Sequence, residues 1–337
     1  MSAADPTVVV VGCGVSGLTT ALRLRRLGRT VRIVADRPAE RTTSAVAGAT
    51  WFPYKVDPPH RALGWTAASR PVFESLAASS ETTGVVLRTC VMLHRSPLGG
   101  APWWADAAPD LALLGRAQLP PGFADGYSFT QAVIDMPMYL AYLLDRFLAH
   151  GGELLHARLS SLTEAARYGD VVVNCCGLGA RELCDDPATY PVRGQWLRVD
   201  NPGIDRVLAD FDHPDGDAYI IPHRHSCILG GTADENAWDE TPGDEVSARI
   251  RRRCTELDPR LAGARALEQR VGLRPVRRGG VRLELDTLAD GTPCVHNYGH
   301  GGAGVTLSWG CADEVTDLVR SLGTDIDTPP AATGGTS

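Results

Sequence analysis

The chain has 337 residues, 44% hydrophobic and 22% charged, a length and balance that bury a sizeable core and suit two interlocked domains better than one. A net charge of -7 gives no attraction for nucleic-acid phosphates or anionic lipid, so neither is an expected partner. No run of about eighteen apolar residues occurs, which excludes a membrane-spanning helix.

The chain opens from Met1 through Asp5 and Pro6 into the apolar run Val8 to Val11, with no basic start or cleavage site. No secretory leader is therefore expected, and the cytosol is the expected location. Val8 to Val11, the turn Gly12-Cys13-Gly14-Val15-Ser16-Gly17, an amphipathic stretch carrying Leu18, Ala21, Leu22 and Leu24, and Val31 to Ala35 read as a βαβ unit. Tyr139 to Leu148 has a helical period. Leu154 to His156 and Val171 to Asn174 read as later strands of the same parallel sheet.

From Pro191 to Leu285 the texture changes. Gln195 to Val199, Ala218 to Pro222, Cys227 to Gly231 and Val281 to Leu285 are short alternating runs separated by Gly, Pro and Asp, which predicts an antiparallel sheet. The expected fold class is therefore α/β: a Rossmann-type domain with a parallel sheet (1–50, 135–190 and 290–324) interleaved with a substrate domain on a largely antiparallel sheet (51–134 and 191–289). Residues 325–337, rich in Pro, Gly, Thr and Ala, are expected to form a disordered tail.

Several residue types narrow the chemistry. The nine cysteines lack the paired spacing of zinc or dithiol sites and read as free thiols; Cys175 and Cys176 are read as filling space rather than as a vicinal disulfide. Lys55, the single lysine, sits among Tyr54, Val56 and prolines, a poor setting for a Schiff base. His223 and His225 flank Arg224 in what reads as a hairpin turn; with no third ligand nearby, no metal is expected. Trp103 and Trp104 read as packing residues.

Gly12, Gly14 and Gly17 fit G-x-G-x-x-G between a strand and a helix, and Asp36 ends the second strand. The first glycine permits the tight turn, the second lets the backbone approach a pyrophosphate, and the third lets helix and strand pack closely. The helix N-terminus then offers N–H groups to the phosphates, and Asp36 is placed to accept from a ribose. At this point FAD and NAD both remain open.

Three further segments carry a resemblance. They are His296-Asn297-Tyr298-Gly299-His300-Gly301-Gly302-Ala303-Gly304 with the following Val305 to Ala312, Gly272-Leu273-Arg274-Pro275-Val276-Arg277, and Ala218-Tyr219-Ile220-Ile221-Pro222. Ala35-Asp36-Arg37, Ala47-Gly48, Trp51 with Pro53-Tyr54, Val173-Asn174-Cys175 and Arg193-Gly194-Gln195 add to them. Over nearly its whole length the chain resembles the D-amino-acid oxidase family, in a form that looks bacterial.

The resemblance implies non-covalent FAD held by Gly12, Gly14, Val15, Ser16, Gly17, Asp36, Arg37, Thr42, Thr43, Ser44, Ala47, Gly48, Gly177, Gly301, Gly302 and Gly304. The backbone of Gly304 and Val305 and the hydroxyl of Thr306 would face the pyrimidine end of the flavin. Arg274 would clamp the substrate carboxylate with its planar fork, in preference to Arg277 and Arg282 nearby. Tyr219 would add a hydroxyl, and the carbonyl of Gly302 would accept from the amine. Thr50, Phe52, Tyr54 and Ile221 would bound the side-chain pocket, an apolar setting that favours neutral D-amino acids. Acidic Asp210, Asp212, Asp215 and Asp217 at the entrance would repel a second carboxylate, while His223 and Arg224 are the nearby cations. The partners implied are an amino acid and molecular oxygen; monomer and homodimer both stay open.

Two departures stand out. The stretch Asp212 to Asp217 is shorter than the tyrosine-bearing lid of mammalian members, and Phe52 replaces their glutamine. The chain finishes Gly335-Thr336-Ser337, without a peroxisomal address. Alternatives are a relative acting on glycine, an acidic D-amino acid or a biosynthetic intermediate; an NAD-dependent dehydrogenase; and a non-catalytic flavin-binding regulator.

Overall fold

Val8–Val11 is a continuous β-branched run buried on both faces, the pattern of a central strand in a parallel sheet covered by helices. In the computed structural model, which describes residues 6–54 and 56–324, it pairs in parallel with Val31–Ala35 on one side and Val171–Asn174 on the other. Glu153–His156 adds to the first edge and Pro293–Tyr298 to the second, both parallel. Lys55 and residues 325–337, the subjects of two of the expectations above, lie outside the described residues.

Arg282–Thr287 closes this six-stranded sheet, antiparallel to Pro293–Tyr298. The assignment of Val281 to Leu285 to the other sheet is thereby corrected. Its alternation holds for the buried Val281 and Leu283 but not for Leu285, which is exposed at the sheet edge, and alternation does not identify the partner. The short 288–292 connection does: Leu288 N–H donates to Thr292 O at 2.9 Å, a hairpin that keeps the strand beside its successor. Ala49–Thr50 and the start of Thr189–Asp200 likewise belong to the second sheet, so the sheet boundaries differ from the predicted domain limits.

The second sheet has ten strands. Val85–His94 and Asp125–Ile134 form a long antiparallel pair, and Thr189–Asp200 pairs along its length with Ala266–Arg277. Ala218–Pro222 and Ser226–Gly230 form the hairpin expected around residues 223–225. The single parallel pairing joins Val207–Asp210 to Val85–His94. The chain passes between the two sheets four times, after residues 35, 134, 174 and 277.

Helix Val15–Arg26 packs against the long helix Gly304–Thr324, with Thr19 Oγ1 donating to Ser308 O at 3.1 Å. Helix Met136–Ala149 joins them, its Tyr139 hydroxyl accepting from Trp309 Nε1 at 2.8 Å. These contacts fix the G-x-G-x-x-G turn against the His300–Gly304 turn. Among the described residues no helix is long and apolar enough to cross a membrane.

Candidate active site

A cavity of about 770 Å³ runs from the carboxyl ends of the parallel strands to one face of the second sheet. At the first end the backbone is shaped by glycines. Gly12 has φ +109°, and a Cβ there would meet Cys175 O at 2.6 Å. A Cβ on Gly17 would collide with the Gly12 carbonyl, whereas on Gly14 it would meet Ser44 Oγ at 3.0 Å and otherwise project into the cavity. Helix Val15–Arg26 starts with no side-chain cap and no acid in its first turn, which leaves its positive end for an anion. Ser44 Oγ accepts from Val15 N–H at 3.0 Å. Asp36 and Arg37 stand exposed at the end of Val31–Ala35, 3.7 Å apart.

Val15, Ser16, Thr42, Thr43, Ser44, Ala47, Gly48, Gly177, Gly301, Gly302, Gly304 and Val305 all line the cavity with Gly12, Gly14, Asp36 and Arg37. Two of the cofactor residues do not. Gly17 lies behind the turn. Thr306 is 1% exposed, and its hydroxyl donates to Phe52 O at 2.8 Å and accepts from Phe52 N–H at 3.0 Å. The hydroxyl expected to face the flavin therefore pins the pocket wall to the helix. The partner backbone comes from a segment 254 residues away, which sequence spacing does not show.

At the other end, Thr50, Phe52, Tyr54, Tyr219, Ile221 and Arg274 converge on the same cavity. Arg274, on Ala266–Arg277, lies flat on Gly194 of the neighbouring strand: a Cβ on Gly194 would collide with the guanidinium. One of its N–H groups donates to Thr232 O at 2.9 Å, and the guanidinium sits 5.7 Å above the Tyr54 ring. No carboxylate forms an ion pair with it among the described residues. By contrast, Arg277 binds Asp186 at 2.7 Å and Arg282 binds Glu284 and Asp286, both outside the cavity. The ring of Tyr219 likewise covers Gly230 and Gly231, where any Cβ would strike it. Burial raises the Tyr219 pKa beside the Arg274 guanidinium, so the phenol stays a proton donor at working pH.

The pocket wall is aromatic. Phe52 stacks on Phe211 at 5.9 Å and meets Trp104 edge-on at 5.4 Å. Phe211, Met92, Ala209 and Gly194 are cavity residues absent from the sequence-based set; only Gly194 left a trace there, within Arg193-Gly194-Gln195. The Tyr54 hydroxyl donates to Asp217 at 2.6 Å. Asp215 binds Arg252 at 2.8 Å, and His213 binds Glu256 at 2.9 Å, so the 212–217 segment is tied to helix Asp244–Leu257.

These contacts correct the expected acidic entrance. Asp210 is fully buried and paired with Arg95 at 2.7 Å, and Asp212 faces His94 at 3.0 Å. Asp210 and Asp215 are thus paired with arginines, Asp217 accepts from the neutral Tyr54 hydroxyl, and none of the four aspartates lines the cavity. His223 and Arg224 lie in the hairpin turn and do not line the cavity.

His300, under the Gly301–Gly304 turn, is buried, its Nε2 2.9 Å from Asn297 Oδ1, and burial lowers its pKa from 6.5 to about 4. An unfolded chain takes up this proton near pH 6.5 and the folded one only near pH 4. The stability it confers is therefore complete above pH 6.5 and is lost as the pH falls toward 4, by up to roughly 3 kcal/mol. Urea unfolding at neutral pH and at about pH 5 should show the wild type losing about 2 kcal/mol more than His300→Gln, which cannot titrate. Equal losses would remove His300 from the acid sensitivity.

Fold and cavity together define a two-sheet class of protein, in which a glycine turn between strand and helix opens into the same cavity as one face of the second sheet. Residues 7–318 match the family model described as "DAO: FAD dependent oxidoreductase", and the chain belongs to that family. It is 53% identical over 310 residues to a protein named D-amino-acid oxidase from Rubrobacter xylanophilus, covering 92% of this chain and 94% of the relative. A D-amino-acid oxidase of Streptomyces coelicolor is 48% identical over 316 residues, covering 93% and 97%. The fold is similar to that of glycine oxidase from Geobacillus kaustophilus, at TM-score 0.78 and 18% identity over 94% of this chain and 95% of that one.

Proposed function

We propose that the protein oxidises neutral D-amino acids to 2-oxo acids, with FAD bound non-covalently. The observation that carries this reading is Arg274: a half-buried guanidinium with no ion pair to a carboxylate among the described residues, lining the same cavity as the glycine cradle. A ligand carboxylate would meet it with two parallel hydrogen bonds.

The residues divide the work. Arg274 fixes the carboxylate and Tyr219 donates a further hydrogen bond to it. The Gly302 carbonyl, beside the Tyr54 ring, accepts an N–H bond from the amine and so orients it; the reacting form is the neutral amine, whose lone pair assists as the Cα hydrogen leaves. With three points held, the Cα hydrogen has one direction left. FAD held along Gly301 to Val305 would supply the hydride acceptor and, with molecular oxygen, the oxidase chemistry that yields hydrogen peroxide, the imino acid product hydrolysing to a 2-oxo acid and ammonia. The backbone of Gly304 and Val305 would be the part of this chain that stabilises negative charge on that cofactor. Burial pushes the thiols of Cys13 and Cys175 in the cavity up to about 11 and about 12, which keeps them protonated and supports a cofactor without a covalent link.

The test is colour and peroxide: the purified protein should be yellow and release peroxide with D-alanine, D-valine or D-methionine. A colourless protein, or one silent on the whole panel of both hands, overturns the reading. Neutral substrates should have higher specificity constants than D-aspartate, since Phe52, Phe211, Met92 and Ile221 offer no cation to a second carboxylate, and burying it unpaired costs several kcal/mol. The reverse order would mean that a cation reaches the pocket.

A further inference from the structure

Beside the nucleotide end of the cavity lies a polar cluster that this chemistry does not use. Asn174, the buried last residue of Val171–Asn174, holds a sulfur at each end of its carboxamide. The Cys176 thiol donates to Oδ1 at 2.7 Å, and Nδ2 donates to Cys184 Sγ at 2.9 Å. The same Nδ2 lies 3.1 Å from His296 Nδ1, and His296 Nε2 lies 3.4 Å from Asp286 Oδ2. Bridged by one carboxamide, the two sulfurs are near enough to influence each other's ionisation, as His296 influences that of Cys184. They bracket one turn of 3-10 helix, Gly177–Gly179, and one of α-helix, Ala180–Leu183.

We propose that Cys176 and Cys184 are a peroxide-oxidisable dithiol, with Cys184 the attacking sulfur, Asn174 and His296 holding it, and Cys176 resolving it into a disulfide.

The other thiols set the contrast. Cys13, Cys90, Cys175, Cys227, Cys254, Cys294 and Cys311 are buried, and desolvation raises each of them. Cys184 alone is pulled below the usual thiol range, by Cys176, His296 and the Asn174 carboxamide, against the opposing effect of burial. Cys294 and Tyr298 also face it and feel its charge. Both members of the pair are partly exposed, whereas the other seven thiols are buried, so a small oxidant has access to the pair that the buried thiols deny it.

The chemistry closes in two steps. The Cys184 thiolate attacks one peroxide oxygen; an S–O bond forms, the O–O bond breaks, and hydroxide leaves, so sulfur loses two electrons and peroxide gains them. Cys176 then attacks the sulfenic acid sulfur; an S–S bond forms, the S–O bond breaks, and the hydroxyl leaves as water with the Cys176 proton. The sum is two thiols and one peroxide to one disulfide and two waters. Any source of hydroperoxide serves, so the step does not depend on the substrate reading above.

The test uses reduced holoenzyme, with bound FAD confirmed by absorbance. After stoichiometric hydrogen peroxide, non-reducing peptide mapping should find one cross-link, Cys176 to Cys184. Cys176→Ser should instead accumulate sulfenic acid at Cys184, trapped by dimedone, and Cys184→Ser should give neither product. At mildly acidic pH, iodoacetamide should alkylate Cys184 in Cys176→Ser at least about tenfold faster than Cys176 in Cys184→Ser. Wild type that shows no Cys176–Cys184 cross-link, a cross-link elsewhere instead, or no dimedone adduct at Cys184 in Cys176→Ser overturns the proposal.

Discussion

Replacing Arg274 by lysine should lower kcat/KM for D-alanine by on the order of 10²- to 10³-fold although the charge is kept. The guanidinium is held as a plane: Gly194 lies beneath it, the Tyr54 ring lies 5.7 Å away, and Thr232 O takes one N–H at 2.9 Å. An ammonium is a point charge. It cannot satisfy Thr232 and still make two parallel bonds to a carboxylate, so the substrate would tilt and the Cα hydrogen would leave its line. The loss should therefore reach kcat as well as KM. Arg277→Lys is the control, because Arg277 is occupied by Asp186 outside the cavity and should change turnover little. If Arg274→Lys kept the wild-type kcat and KM, Arg274 would not be the clamp.

Gly14→Val should produce a folded protein that purifies without flavin. Its added Cβ meets Ser44 Oγ at 3.0 Å, a side chain that can shift by a few tenths of an ångström, and the two methyls then fill the space a pyrophosphate needs. Gly17→Val should behave differently. Its Cβ collides with the Gly12 carbonyl, which is backbone and cannot yield, so helix Val15–Arg26 would separate from its strand and the fold itself would be lost. Far-ultraviolet circular dichroism and flavin absorbance together separate the two outcomes. A yellow Gly14→Val protein would mean that the turn is not the nucleotide cradle, and a Gly17→Val protein as stable as wild type would mean that helix and strand do not depend on that close contact.

The glycine turn was legible because strand, turn and helix are contiguous, even though the groups that crowd Gly12 and Gly14, Cys175 O and Ser44 Oγ, come from other segments. The convergence of Arg274, Tyr219 and Tyr54 was legible only through resemblance, since they come from strands and loops far apart in the chain. Phe211 and Met92 were not legible at all. An isolated aromatic before Asp212, or a methionine on a long strand, reads as core until the sheet shows which face it occupies. Thr306 and Asp210 misled for a shared reason: each is a polar side chain whose partner, Phe52 backbone or Arg95, is supplied by another part of the fold. Val281 to Leu285 showed a period that holds only for Val281 and Leu283 and suggested the wrong neighbour, because period 2 reports exposure rather than pairing.

The four passages of the chain between its sheets also bear on how this protein is inherited and engineered. A segment that leaves and returns cannot be exchanged as a cassette with one junction. Grafting the second sheet of a relative would take separate inserts for residues 49–134 and 189–277, each joined at both ends to strands of the first. Neither sheet is one continuous stretch of polypeptide, so a nascent chain cannot complete the first before most of the second has emerged from the ribosome. Recombination between homologues should therefore preserve the two as a unit, and diversity in the pocket should accumulate by point substitution on a shared frame.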